Sequence, residues 1–233
     1  MPAENRNRHL IGLLACMLAT CAAGDPSHSL AESASTPAGF PEAHYQLAKK
    51  MGKEILRVDP AQSLVVIKVQ RGGPVAWLGH DHIVASHNLS GYVSLAEGQA
   101  NLVVPLDQLV VDEPGLRAEA GFNSQPSRED IEATRRNMLE KTLDSERFPN
   151  AFIHVTSLAA NHTALNVSIT LHGITRTYEV KAPIETVVDG IAVNGKISFN
   201  QSDFGILPLS VLGGLIQVQD KLDVRFRIRM QNY

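Results

Sequence analysis

Residues 165–182 constrain the fold of this 233-residue chain more than any other stretch. Leu165, Val167, Ile169 and Leu171 alternate with Asn166, Ser168, Thr170 and His172, the period-two pattern of a strand with one dry and one wet face. Gly173 interrupts the pattern, and Tyr178, Val180 and Ala182 resume it. The segment therefore reads as a β-hairpin closed by a short glycine-bearing turn. The chain's last strand repeats the theme more clearly still. Leu222, Val224, Phe226, Ile228 and Met230 point one way, and Lys221, Asp223, Arg225, Arg227 and Arg229 the other. Interleaved acids make that basic row a solvated exterior face.

Further short strands are expected over residues 63–70, 82–87, 89–95, 99–105, 108–112, 151–157, 176–185, 191–200 and 216–230, with turn signals at Gly72-Gly73-Pro74 and Asp189-Gly190. One good helix is expected over residues 127–143. Ser127 can cap it, Glu129 and Asp130 suit its positive first turn, and Ile131, Met138 and Leu139 give an apolar side. Residues 42–56 carry Leu47, Met51 and Ile55 at four-residue spacing, interrupted by Gly52. They read as a short helix against a barrel mouth or as part of a linker. The expectation is a mainly all-β protein, an antiparallel β-barrel of about eight strands with one or two short helices.

Residues 1–23 stand apart. Arg6 and Arg8 precede an apolar run at residues 10–19, as in a secretory signal. Cys21 follows Leu18, Ala19 and Thr20 in a lipobox-like arrangement, and Cys16 after Leu13, Leu14 and Ala15 is the alternative lipidation site. The polar, non-periodic residues 24–41 suit a flexible tether, and residues 57–233 form the expected barrel domain. The expected address is the periplasm, with a lipid anchor to the membrane. Both cysteines lie in the leader, so a mature domain would have no disulfide. A net charge of −3 gives no basic excess for nucleic acid.

Several ordered motifs resemble the YceI-like family of lipocalin-like barrels. Arg57-Val58-Asp59-Pro60 with Ser63 is similar to the family's opening strand entry, and Leu89-Ser90-Gly91-Tyr92-Val93 to its second-strand segment. Arg128 to Leu139, then Leu143-Asp144 and Phe148-Pro149, resemble its helix and helix exit. Leu171-His172-Gly173-Ile174-Thr175-Arg176 is similar to a family turn, and Ser202-Asp203-Phe204-Gly205-Ile206 to a late segment. Leu78-Gly79-His80-Asp81-His82 resembles a branch marked by an L-G-H-D-H motif. The resemblance implies a barrel that encloses an isoprenoid quinone or other lipid, sequestering or carrying it without covalent chemistry.

Val65, Ile67, Leu102, Val104, Val167, Ile169, Tyr178, Phe199, Val224 and Phe226 share inward parity, with Val180 and Ile197 beside them. They would bind the apolar ligand, unless they simply fill the barrel, since parity does not separate a packed core from a lined cavity. Trp77 and Tyr92 are the candidates for its mouth, where an amphipathic ring suits a wet and a dry side. His80 and His82, two apart on an extended segment, would share a face and could begin a metal site, with His87, His154 or His172 completing it. Alternatively they belong to a tight turn whose polar groups bond backbone. His172 reads as a turn histidine that bonds backbone or flanks Tyr178. No residue pattern pairs a nucleophile with a base, and neither a P-loop nor a G-x-S-x-G is present. A binding protein rather than an enzyme is expected, with a metal-binding or stress-related module, or a ligand-free barrel contacting an envelope partner, as alternatives.

Overall fold

Period-two segments become strands almost wherever they occur. The computed structural model describes residues 37–158 and 164–233. The leader, Cys16, Cys21 and most of the polar stretch lie outside the described residues. In chain order the strands are β1 (Leu56–Val58), β2 (Leu64–Val69), β3 (Arg71–Gly72), β4 (His82–Ser86), β5 (Ser90–Ser94), β6 (Gln99–Pro105), β7 (Val110–Val111) and β8 (Asn150–Thr156). They continue as β9 (Ala164–Leu171), β10 (Ile174–Lys181), β11 (Ile184–Val187), β12 (Gly190–Asn200), β13 (Ser210–Val211), β14 (Ile216–Val218) and β15 (Lys221–Asn232). Helices α1 (Glu42–Lys50), α2 (Pro114–Glu119) and α3 (Arg128–Asn137) complete the set, α3 running on into a π-helical turn at Met138–Thr142.

Twelve strands form one antiparallel sheet, and β13, β14 and β3 form a small second one. Strand β15 is the hub. One edge pairs with β12 from Gly190↔Gln231 to Asn200↔Lys221. The other edge takes β1 at Val58↔Met230 and β2 at Ile67↔Val224. Strands β1 and β2 are thus two halves of one stave, broken where Asp59 Oδ1 accepts from the Ala61 N–H and starts a tight turn. Strands β4 and β5, β6 and β7, and β10 and β11 are broken likewise, because each half pairs with a different neighbour. Twelve strands with four such interruptions make eight staves, which is how the expected number relates to the observed one.

The expected closure does not hold. Strand β11 pairs with β12, but no ladder joins β10 to β12 among the described residues. There the walls meet through side chains, the Tyr178 and Phe199 rings lying 6.0 Å apart. The sheet is a ring with an unladdered seam, not a closed barrel.

The β9–β10 hairpin forms as its alternation requires, with Leu171 opposite Ile174. His172 (φ 52°) and Gly173 (φ 75°) are both left-handed, the geometry that matches a two-residue turn to the strand twist. A Cβ on Gly173 would lie 2.9 Å from the Phe148 ring. His172 packs at a tilt against that same ring, 4.6 Å between centroids, rather than beside Tyr178. Ser127 caps α3, its Oγ accepting from the Asp130 N–H at 3.1 Å.

Two other expectations are corrected. The segment at residues 216–230 is two strands in two sheets, split where the Gln219 N–H turns to bond the Gln70 carbonyl. Helix α1 is present but ends at Lys50, and the expected stripe is divided: Leu47 and Met51 are exposed, while Ile55, beyond the helix, is buried with Tyr45 and Ala48. It lies on the outer face of the sheet over β5, where Tyr45 stacks on Tyr92 at 5.4 Å. A tyrosine whose hydroxyl finds a partner, here the Asn101 amide at 2.7 Å, buries better on that polar-edged surface than a leucine.

Candidate functional site

Inward parity on β2, β4, β6, β8, β9, β12 and β15 brings branched aliphatic side chains around one space, with α3 and its π-turn lying across part of it. The space is a cavity of about 330 Å³, within the ~300–1,000 Å³ of small-molecule sites. Val65, Ile67, Leu102, Val104, Val167, Ile169, Phe199, Val224 and Phe226 all line it. The inward residues therefore bound a void rather than filling it. Gly195 helps to keep that void open. It sits opposite Phe226 on β15, and a Cβ there would lie 2.4 Å from the Phe226 ring, so the missing side chain lets the ring lie flat against the wall.

Three predicted ligand residues lie elsewhere. Tyr92 belongs to the outer face under α1: the alternation that turns Val93 inward turns Tyr92 outward. Trp77 is 69% exposed on the turn at Ala76–Leu78 and does not line the cavity. Tyr178 sits at the β10–β12 seam behind Phe199, and its hydroxyl is the one buried side-chain polar atom without a partner among the described residues.

The wall has one charged support, which the sequence reading did not anticipate. His82 lines the cavity, and its Nδ1 is 2.6 Å from Asp112 Oδ2. Asp112 follows the short strand β7 and turns with φ 58°, a conformation aspartate tolerates. Its Oδ1 accepts from the Ile83 N–H at 3.0 Å and from Arg117 Nη1 at 2.5 Å. Pro114 starts α2 and places Arg117 one turn along it. The guanidinium donates further to the Asp81 and Ser124 carbonyls and is almost fully buried, at 1% exposure. Burial opposes the charge on Asp112, but the hydrogen bonds from His82, Ile83 and Arg117 outweigh it and hold its pKa below the ordinary carboxylate value. His82 and Asp112 are thirty residues apart, so no local spacing announces the pair. The Asp112–Arg117 offset across a proline-started helix was the available signal.

The metal expectation gains no ligand set. The His80 and His82 rings are 6.4 Å apart, and no group of three or more His, Cys, Asp or Glu able to hold a metal exists among the described residues. His82 Nδ1 is engaged by Asp112, while Asp81 faces away and secures the turn by accepting from the Arg71 N–H at 2.9 Å. His87 pairs with Glu113, His154 with Asn101, and His172 packs against Phe148.

An antiparallel sheet wrapped around an apolar cavity defines a β protein of lipocalin-like architecture. Residues 56–230 match the YceI-like domain, and the chain belongs to that family. Among solved structures it is similar to a polyisoprenoid-binding domain from Saccharophagus degradans implicated in plant cell wall breakdown, with a TM-score of 0.56 and 13% identity, over 76% of this chain and 98% of that one. It is also similar to BcnA of Burkholderia cenocepacia, with a TM-score of 0.52 and 15% identity, over 73% of this chain and 98% of that one. At these identities the likeness shows the fold alone. No curated protein matches the sequence.

Proposed function

We propose that this protein binds a long apolar molecule, an isoprenoid or another lipid, within its cavity and sequesters or carries it through water. The observation that carries this reading is a void of about 330 Å³ walled almost entirely by aliphatic side chains. An unoccupied apolar surface of that kind gains about 25 cal/mol for each Å² it hides with a ligand. The polyisoprenoid-binding domain of Saccharophagus degradans, which shares the fold, supports an isoprenoid as the class. The finer parts of the reading are an isoprenoid quinone as the ligand, a periplasmic address, and a lipid anchor at Cys21 or Cys16. The quinone comes from the family resemblance, and the address and anchor from the leader-like residues 1–23 and the polar stretch after them.

The test is a fluorescence titration with diphenylhexatriene, a hydrocarbon that brightens in apolar sites. Saturable binding is expected, displaced by long-chain prenols and abolished by filling the void with Val167→Phe plus Ile169→Phe. An absence of saturable binding to the folded protein would contradict the reading.

A further inference from the structure

The cavity has a chemical direction. Among the described residues that line it His82 is the only ionisable side chain, accompanied by the neutral Ser86, Thr134, Asn137, Thr142 and Gln201. An isolated imidazole in an aliphatic wall costs free energy unless its polar atoms are used. One of them is used: Nδ1 meets a carboxylate whose side chain is wholly buried. Asp112, charged and accepting from Ile83 and Arg117 as well, has no proton to give. The proton of that contact therefore belongs to Nδ1.

This decides what Nε2 can do. Arg117 already balances the charge of Asp112, so a neutral imidazole leaves the buried cluster without net charge. Nε2 then carries a lone pair and accepts. It has no hydrogen-bond partner among the described residues, and it is not sealed in protein, since Tyr178 Oη is the only buried orphan there. The charged neighbours do not occupy it. His80 stands 6.4 Å away ring to ring, and the Asp130 carboxylate is bonded to Ser127.

We propose that His82 Nε2 is the head-group acceptor of the cavity: it takes a hydrogen bond from a hydroxyl at the end of the apolar ligand, so the site selects chains that terminate in O–H. The class comprises long-chain alcohols, prenols and reduced, phenolic quinone heads. This rests on the apolar-ligand reading above and deepens it. Asp112 and Arg117 act as positioning residues, holding the ring so that the acceptor, and not a donor, is presented.

Calorimetric titration of the whole protein with geranylgeraniol, with hexadecan-1-ol and with the methyl ether of each tests this. The ethers keep the chain and lose only the donor. Each alcohol is expected to bind about tenfold more tightly than its ether, and the stronger alcohol shows whether a branched or a straight chain fits. His82→Phe fills a similar volume without an acceptor, and His82→Asn keeps a donor for Asp112 but is too short to present an acceptor. Both should lose the preference, binding an alcohol and its ether with equal affinity, whatever their affinity relative to wild type. Imidazole 15N spectra add a direct reading: Nδ1 protonated in the free protein, and the Nε2 resonance shifted by the alcohol and not by the ether. Equal affinity for alcohol and ether in wild type, or a preference that survives in both variants, overturns the head-group assignment and leaves the apolar-ligand reading standing. If no probe binds, both fall.

Discussion

The two faces of the wall around β5 and β6 bury their side chains by opposite means. Outside, under α1, the space is filled: Tyr45 stacks on Tyr92 at 5.4 Å, and Tyr92 meets Tyr233 edge-on at 5.2 Å. Their hydroxyls are tied to Asn101, Glu42 and Gln46. Inside, Leu102 and Val104 face branched aliphatic chains across empty space. One face is completed by the chain's own aromatic rings, and the other is left for something that is not part of the chain. Close packing is the rule in protein interiors, so a face that departs from it beside one that obeys it points to a ligand.

That contrast is open to direct attack. The largest effect is expected on the filled face. Tyr45→Ala should cost about 4 kcal/mol, the range for losing a fully buried aromatic ring, measured by urea unfolding. Ile169→Ala, on a wall already bordering a void, should cost less than about 2 kcal/mol. Equal costs would erase the distinction.

Next is the support behind His82. Asp112→Asn leaves Arg117 buried without its counter-charge and should cost about 3 kcal/mol at neutral pH. The sign of its pH dependence follows from the depressed pKa of Asp112. Its contribution is complete above the unfolded carboxylate value of about 3.9 and is lost as pH falls through the lower folded value. Wild type should therefore lose stability more steeply than Asp112→Asn below about pH 4.

Smaller again is Gly195→Ala, whose methyl group must displace the Phe226 ring toward the cavity. It should cost about 1–2 kcal/mol of stability and lower diphenylhexatriene affinity about tenfold. The smallest effect belongs to the hairpin corner. Gly173→Ala, at φ 75° and against Phe148, should lower stability by about 1 kcal/mol and leave ligand affinity unchanged, since the corner lies off the cavity.

The strands were legible because one-sided burial writes itself into alternate residues. The turn of the β9–β10 hairpin and the alternation of β15 were readable, though not the strand ends at Lys181 and Lys221, and Ser127 announced α3. Parity also found eleven cavity residues, Val65 and Phe226 among them. It failed where burial is two-sided or polar. Tyr92 is buried on the outer face by a helix whose exposed side carries Leu47 and Met51, so hydrophobicity pointed the wrong way. The breaks in the staves follow from which neighbour each half pairs with, a long-range choice. The link between His82 and Asp112 is long-range too, and Asp112 sits in a stretch of ordinary composition.

The central claim is that the inner face holds an apolar molecule. Native mass spectrometry of protein purified from bacteria without detergent tests it most directly. The account predicts an added mass on the folded protein, removed by organic extraction and absent from the Val167→Phe plus Ile169→Phe variant. A folded protein that carries no adduct, and takes up neither geranylgeraniol nor hexadecan-1-ol when they are supplied, would contradict it.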